Sequence, residues 1–186
     1  MKVALFGGSF NPVHNGHLKM ANELLKMSLV EEVWFIPCGN HAFGKELAPG
    51  KDRVAMLNLA TRGNPKLKVV DLETKSNEKS FTADTIRLLR KRYSHQFYFV
   101  IGADNLKDFD KWHDLPYLQN EVEFILIKRP EYPLPKVIKL KVSKIISLRL
   151  TESSTEIRNL IKNKESVSKL VPESVADFIC REGLYK

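Results

Sequence analysis

Two histidines, His14 and His17, follow an apolar segment and a glycine pair near the start of the sequence. Residues 3–6 (VALF) predict a buried parallel strand, and Gly7-Gly8 allows a turn or the close approach of a ligand. The next helix is expected to begin beside the histidines. Helix N-termini bind anions through unpaired N–H groups and the helix dipole, and imidazoles add donors near pH 7. The segment therefore predicts a phosphate-binding site.

Other interpretations of the two histidines are open. They could form half of a metal site, which would require a third ligand, or they could be ordinary surface residues. The Walker A pattern and the G-x-G-x-x-G pattern both fail to match the glycine pair. We favour phosphate binding over a metal site or a surface pair.

A second group of donors occurs late in the chain, at Ser153, Ser154, Thr155 and Arg158. The hydroxyls stand at a predicted helix start, and the guanidinium can offer paired donors to an anion. Ser153 and Glu156 also satisfy the pattern of a plain capping box. Arg158 in the first turn would oppose the helix dipole unless an anion binds there, so we predict a second phosphate site.

The elements that must position these groups alternate between short apolar strands and amphipathic helices. This alternation predicts a doubly wound, mostly parallel α/β sheet of about six strands, formed by residues 1–186 as one domain. Ligands bind beyond the carboxyl ends of such strands, so the glycine pair, Asp104 and the serine cluster should meet in one crevice. Strands are predicted at 3–6, 33–37, 67–71, 97–101, 122–127 and 145–148, and helices at 17–27, 51–62, 83–91 (capped by Thr82), 156–162 and 173–181. Residues 38–50 are predicted to be a mobile loop, 103–113 a short helix or loop, and 130–144 an irregular crossover.

The composition is that of an ordinary globular protein with a basic excess: 43% hydrophobic residues, 28% charged residues and a net charge of +8. A positive net charge is typical of proteins that bind nucleic acid and of enzymes with small anionic substrates, and it also occurs in proteins whose basic surface has no specific partner. Because the lysines are dispersed with few aromatic residues among them, we favour small anions and expect no nucleic-acid partner. No apolar run has membrane-spanning length, so no membrane partner is expected. The two cysteines, too few for a disulfide framework, and the absence of a leader predict a cytoplasmic protein. The sequence leaves the oligomeric state open, and a homo-oligomer is possible.

Residues 8–17 (GSFNPVHNGH) resemble the G-x-F-x-P-x-H-x-G-H signature of the nucleotidylyltransferase superfamily. Residues 153–158 (SSTEIR) resemble its second motif, ISSTxxR, although Glu152 stands where an apolar residue is usual. Over nearly the whole length the chain is similar to the nicotinate mononucleotide adenylyltransferases. The segments that carry this similarity are 7–10 (GGSF), 80–85 (SFTADT), 101–105 (IGADN) with Trp112, 128–130 (KRP) and 183–185 (GLY).

This resemblance implies a Rossmann-like fold and a set of functional residues. It implies that Asp104 holds ribose hydroxyls, that Thr82 lies near the pyridine carboxylate and that Trp112 stacks on the ring. A helix cap for Thr82 and a core position for Trp112 are the alternatives. The catalytic residues would be His14, His17 and Arg158. ATP would be bound by Gly7, Gly8, Ser9, Phe10, Gly16, Gly102, Asp104, Ser153, Ser154 and Thr155. The mononucleotide would be bound by Thr82, Trp112, His41 and Lys45, of which His41 and Lys45 lie in a stretched counterpart of the family's Pro-His-Lys run.

The reaction implied is in-line attack of a pyridine mononucleotide phosphate on the α-phosphorus of ATP. Because the nucleophile is already an anion, positioning and charge neutralisation would supply the catalysis. Mg²⁺ would be carried by ATP oxygens and water, with no protein metal site. The alternatives are nicotinamide mononucleotide as substrate, another transferase such as one acting on pantetheine phosphate, or a non-catalytic protein that binds nucleotides or nucleic acid.

Overall fold

The computed structural model describes residues 1–39, 47–75, 79–128, 134, 138 and 140–186. Within these residues the chain alternates between strands and helices, as the sequence predicts. The strands are β1 (Lys2–Gly8), β2 (Glu32–Pro37), β3 (Leu67–Val69), β4 (Gln96–Gly102), β5 (Glu123–Lys128) and β6 (Val142–Ser147). The helices are α1 (Asn15–Lys26), α2 (Gly50–Thr61), α3 (Thr82–Arg92), α4 (Leu115–Glu121), α5 (Ser154–Lys162) and α6 (Glu173–Glu182), with a 3₁₀ helix over Ala103–Lys111.

The six strands form one sheet in the order β3-β2-β1-β4-β5-β6, and every pair of neighbours is parallel. The chain builds outwards from β1 to β3 and then returns to the other side of β1 with β4. The strand order therefore reverses between β1 and β4, which opens a crevice at the carboxyl ends of these two strands. This topology confirms the predicted doubly wound α/β fold.

Both faces of the sheet are buried along β1, β2, β4 and β5, which explains why these four strands are continuous apolar runs. Successive residues of β1 point to opposite faces. Ala4 and Phe6 pack with α1, α2, α5 and α6, whereas Val3 and Leu5 pack with α3 and α4. The helices thus form two layers with the sheet between them, and β1 is held rigidly at the centre.

The glycine pair does not form the turn that the sequence predicts. Gly7 and Gly8 are the last residues of β1, and the left-handed conformation falls instead on Phe10, with φ of 44°. The peptide bond between Asn11 and Pro12 is cis. A side chain at Gly8 would meet the Phe10 ring at 3.0 Å, so the absence of a Cβ makes room for that ring. The glycine is needed for packing here and not for its backbone freedom.

Several predicted element boundaries are wrong in an informative way. Thr82 is the first residue of α3 and not its cap, because Phe81 holds the N-cap position without a side-chain bond. Helix α4 was not predicted separately, although Asp114 at its N-cap and Pro116 in its first turn are ordinary helix-start signals. Of the predicted crossover 130–144, residues 142–144 belong to β6. Most of the predicted loop 38–50 lies outside the described residues.

Within the part of the chain that is described, no helix has the length and apolar character needed to cross a bilayer.

Two glycines provide a matched test of backbone conformation. Gly183 ends α6 with φ of 64°, whereas at Gly63, after α2, a Cβ would have no other atom within 4 Å. We expect Gly183→Ala to lower the free energy of unfolding by about 1–2 kcal/mol, because an L side chain is strained in the left-handed region. Gly63→Ala should stay within about 0.5 kcal/mol of wild type. Urea unfolding of both variants checks this, and equal effects would contradict it.

Candidate active site

The N-terminus of α1 is built from the two histidines. His14 is the N-cap residue, and its backbone N–H donates to Nδ1 of His17 at 3.2 Å. The rings stack with centroids 3.7 Å apart. Since Nδ1 of His17 accepts a hydrogen bond, the proton of its neutral ring is carried by Nε2. One nitrogen of His17 thus holds the helix start, and the other is a donor.

An aromatic cluster supports the His17 ring from the other side. Phe10 is almost completely buried and packs edge-on against His17, with centroids 5.0 Å apart. Phe6 and Phe35 pack against Phe10 in turn, at 5.5 Å each. The left-handed Phe10 backbone is what turns this ring inwards, so the loop conformation and the placement of His17 depend on each other.

Helix α5 is tied to the loop that follows β1, residues 9–14, which we call the phosphate loop. Ser154 Oγ donates to the carbonyl of Pro12 at 2.9 Å, and Arg158 Nη1 donates to the carbonyl of Asn11 at 2.8 Å. From the other flank the buried Arg53 donates from Nη1 to the carbonyl of Ser9 at 2.9 Å. Hydroxyl and guanidinium groups from two distant helices therefore hold the loop through its backbone.

These contacts shape a cavity of about 550 Å³ that contains both predicted phosphate-binding groups. The N-cap and third residue of α1 line it, together with the N-cap and first residues of α5, so the positive ends of two helix dipoles meet there. The carboxylates of Asp104 and Glu152 also line it. The full lining is Ser9, Asn11, His14, His17, Leu47, Asp104, Glu152, Ser153, Ser154, Thr155 and Arg158.

Two of the predicted ATP-binding glycines make room for polar groups of this cavity. A side chain on Gly102 would lie 2.3 Å from Oδ1 of Asp104, so the glycine lets this carboxylate lie over the end of β4. A side chain on Gly16 would lie 3.1 Å from both His14 Nδ1 and Glu152 Oε2. Their role is to leave space around side chains, which fits the close packing of the cavity wall.

The start of α5 differs from its prediction by two residues. Ser153 is the N-cap and accepts from the N–H of Glu156 at 3.4 Å, so the capping interpretation is correct for this residue. Because the helix begins at Ser154, Arg158 lies in its second turn, and the prediction of a first-turn position was wrong. The guanidinium still reaches the helix start, since Nη2 donates to Thr155 Oγ1 at 3.2 Å.

Two of the predicted mononucleotide-binding residues, Thr82 and Trp112, are not among the described residues that line the cavity. Trp112 is half-buried and packs edge-on against Phe99 at 5.7 Å. The ring of Phe81, the residue before Thr82, packs against the ring of His113 with centroids 4.7 Å apart. The start of α3 therefore lies next to the segment that contains Trp112. His41 and Lys45 lie outside the described residues.

Sequence reasoning missed several residues of the site. Asn11 occupies a variable position of the first motif, and Leu47 lies in a segment without periodicity. Arg53 is 2% exposed and lies on a helix whose pattern carries no sign of a buried cation. Glu152 could have been found, because it replaces an apolar residue of the second motif. The described residues contain no group of three or more His, Cys, Asp or Glu side chains that could hold a metal ion.

Comparison with known proteins identifies the family. The model of the cytidylyltransferase-like family matches residues 5–160. The nicotinate-nucleotide adenylyltransferase of Bacillus subtilis (strain 168) is 37% identical over 188 residues, an alignment that covers 100% of this chain and 98% of that protein. The chain belongs to the nicotinate-nucleotide adenylyltransferase family.

Solved structures of this family share the fold. The Plasmodium falciparum nicotinic acid mononucleotide adenylyltransferase complexed with NaAD superposes with a TM-score of 0.82 at 22% identity, over 99% of this chain and 97% of that one. The same enzyme complexed with APC gives 0.78 at 22% identity, over 99% and 96%. The doubly wound sheet is therefore the fold of known nucleotidylyltransferases.

A buried carboxylate connects the end of β2 to the start of α3 in this adenylyltransferase. Glu73 Oε1 accepts from Thr85 Oγ1 at 2.6 Å. Burial raises the pKa of Glu73, and hydrogen bonds from Thr85, the N–H of Gly39 and the hydroxyl of Ser80 oppose this rise only in part. A side chain on Gly39 would lie 2.3 Å from the carbonyl of Glu73, so the two segments are in close contact.

The raised pKa of Glu73 predicts a stability that falls with pH. The folded protein binds this proton more tightly than the unfolded chain, so stability is lost as pH rises above the ordinary value of 4.5. In urea unfolding between pH 4.5 and about 8, wild type should lose stability relative to Glu73→Gln, which cannot titrate. Lys141 lowers the pKa of Glu123, so the stability that Glu123 contributes is lost only as pH falls below the ordinary value of 4.5. The difference between wild type and Glu123→Gln should therefore stay nearly flat over this pH range. A pH-independent difference between wild type and Glu73→Gln would contradict the assignment.

Proposed function

We propose that this protein transfers the adenylyl group of ATP to nicotinate mononucleotide, with deamido-NAD and pyrophosphate as products. The observation that carries the proposal is one cavity walled by the N-termini of α1 and α5 with His14, His17 and Arg158. The backbone N–H groups at the two helix starts and the side-chain donors of these three residues suit a polyphosphate. The family relationship supports the same reaction, since the Bacillus subtilis relative bears this activity in its name.

The chemistry is a direct displacement at the α-phosphorus of ATP. A phosphate oxygen of the mononucleotide forms the new P–O bond, and the bond from the α-phosphorus to the bridging oxygen of pyrophosphate breaks. Negative charge grows on the departing pyrophosphate, so donors placed there stabilise the transition state. In our proposal His17 Nε2 donates at the bridging region and His14 contacts the α- or β-phosphate.

The second helix start would hold the far end of the triphosphate. Ser153, Ser154 and Thr155 offer N–H and hydroxyl groups, and Arg158 offers the guanidinium donors not used on the phosphate loop. Since Ser154 and Arg158 also bond to the carbonyls of Pro12 and Asn11, the groups that grip the triphosphate are the ones that hold the loop. Binding and loop geometry are thus coupled.

Mg²⁺ would enter this cavity with ATP. The carboxylates of Asp104 and Glu152 line the cavity, and oxygen donors of this kind suit the ion or its waters. When bound, the ion would neutralise charge on the phosphate oxygens. Asp104 at the end of β4 is also the proposed acceptor for ribose hydroxyls, which a carboxylate can bind in pairs.

The mononucleotide would lie between the Thr82 and Trp112 segments and the cavity. The indole of Trp112 suits a flat pyridine ring, and Thr82 at the start of α3 places N–H groups and a hydroxyl near a carboxylate. Roles for His41 and Lys45 and the cytoplasmic location stay predictions from the sequence, and the oligomeric state stays open.

A pyrophosphate-release assay tests the substrate. ATP with nicotinate mononucleotide should give turnover well above ATP with nicotinamide mononucleotide, because a carboxylate gains from the N–H groups at the start of α3. Phosphopantetheine serves as the third acceptor. Turnover restricted to phosphopantetheine would contradict the proposal, and a preference for nicotinamide mononucleotide would overturn the choice of base while leaving the reaction intact.

The role of His17 can be tested apart from its role in the helix cap. His17→Ala should lower kcat by ~10²–10³ while ATP still binds, because a donor acting mainly in the transition state is removed. His17→Asn places an amide oxygen near the Nδ1 position and keeps the cap acceptor, yet it lacks the Nε2 donor. We expect the same loss of kcat for Asn as for Ala.

His95→Ala is the matched control for these variants. His95 directly precedes β4 and so lies at the amino end of this strand, whereas the cavity lies at the carboxyl end. Its substitution should leave kcat unchanged. Recovery of near wild-type turnover in His17→Asn would show that His17 acts through the helix cap alone.

A further inference from the structure

The hydroxyl of Tyr185 joins the segment after α6 to the phosphate loop. It donates to Oδ1 of Asn11 at 2.8 Å, across 174 positions of sequence. Asn11 is 2% exposed and lines the cavity. Tyr185 itself is absent from the cavity lining among the described residues, so it reaches the site through Asn11.

Asn11 connects three separate parts of the chain to the loop. Its Oδ1 accepts a second hydrogen bond from the N–H of Ala48 at 3.0 Å, and its backbone carbonyl accepts from Arg158. A backbone N–H can only donate, so the side-chain atom that faces Ala48 is the oxygen. Both of these side-chain contacts of Asn11 are therefore acceptor contacts, and the Tyr185 hydroxyl is the donor.

The loop conformation requires such support. Phe10, the neighbour of Asn11, has φ of 44° although it carries a large side chain. A residue in this region keeps its conformation only when the surrounding structure holds it there. The Phe10 ring contacts His17, so a shift of Asn11 would move the wall on which the imidazole rests.

The surroundings of Tyr185 keep its hydroxyl protonated. Burial raises the pKa of Tyr185 well above its ordinary value, although the nearby guanidinium groups of Arg158 and Arg53 lower it in part and Asp52 raises it. A hydroxyl that stays protonated remains a donor at neutral and mildly alkaline pH. The bond to Asn11 is therefore a constant feature of the site.

We propose that Tyr185 is a positioning residue for adenylyl transfer, which holds Asn11, and through it the phosphate loop, in the geometry that binds ATP. The inference rests on the proposed function for its catalytic readout. It goes beyond that function because Tyr185 touches neither the reacting phosphates nor the histidines.

The first variant removes only the hydroxyl. Tyr185→Phe should lower kcat/KM for ATP about 3- to 10-fold, the loss expected for one buried hydrogen bond. The Kd for ATP alone, measured by calorimetry, should rise by the same factor, whereas the KM for the mononucleotide should not change. Tyr93→Phe is the control, because Tyr93 is 40% exposed at the end of α3 and far from the phosphate loop.

A double-mutant cycle with Asn11 separates positioning from a general loss of stability. Asn11→Ala removes the oxygen that accepts both bonds and should lose ATP affinity. In the Asn11→Ala background, Tyr185→Phe should add less than about a twofold further loss, because the acceptor is already missing. Thermal unfolding of each variant verifies that all are folded at the assay temperature.

Two outcomes would overturn the role of Tyr185. They are an unchanged ATP Kd in Tyr185→Phe and full additivity of the two substitutions. Because the calorimetry uses ATP alone, failure of wild type to turn over nicotinate mononucleotide would count against the proposed function and not against this inference.

Discussion

The hydrogen bonds from α5 to the carbonyls of the phosphate loop are the constraint on which the site depends. Ser154 and Arg158 reach the carbonyls of Pro12 and Asn11 and bring the N-terminus of α5 against that of α1. The two helix starts wall one cavity, so the positive ends of both helix dipoles lie at the same place. In our proposal this pairing lets the two predicted phosphate-binding groups hold one triphosphate.

The loop between these helices is held through its backbone by side chains of α2 and α5. Arg53, Arg158 and Ser154 donate hydrogen bonds to its carbonyls. The side chain of Asn11 accepts hydrogen bonds from the N–H of Ala48 and the hydroxyl of Tyr185. A preorganised site of this kind needs little rearrangement during the reaction, which is how positioning and charge stabilisation accelerate phosphoryl chemistry. The same arrangement explains why residues far apart in sequence bear on the geometry of His17.

The parts of the fold that follow from local periodicity were predictable. Six short segments with apolar residues became six parallel strands. The four inner strands were the clearest in the sequence, because strands buried on both faces are apolar along most of their length. Helix ends were less predictable. At Thr82 the hydroxyl suggested a cap, yet Phe81 holds the N-cap position, and its ring packs against His113. Helix α4 was overlooked because its seven residues are too few to show a clear helical period.

The sequence alone determined the fold class, the presence of two helices that begin near the motifs, and the imidazole, hydroxyl and guanidinium groups that the motifs carry, since these depend on neighbours within a few positions. Only the tertiary structure decided which of these groups face the cavity and what holds them there. The left-handed Phe10, the buried Arg53 and the bond from Tyr185 to Asn11 arise from contacts between elements remote in sequence. Such contacts leave no periodic pattern, because each depends on the shape of the folded chain around it.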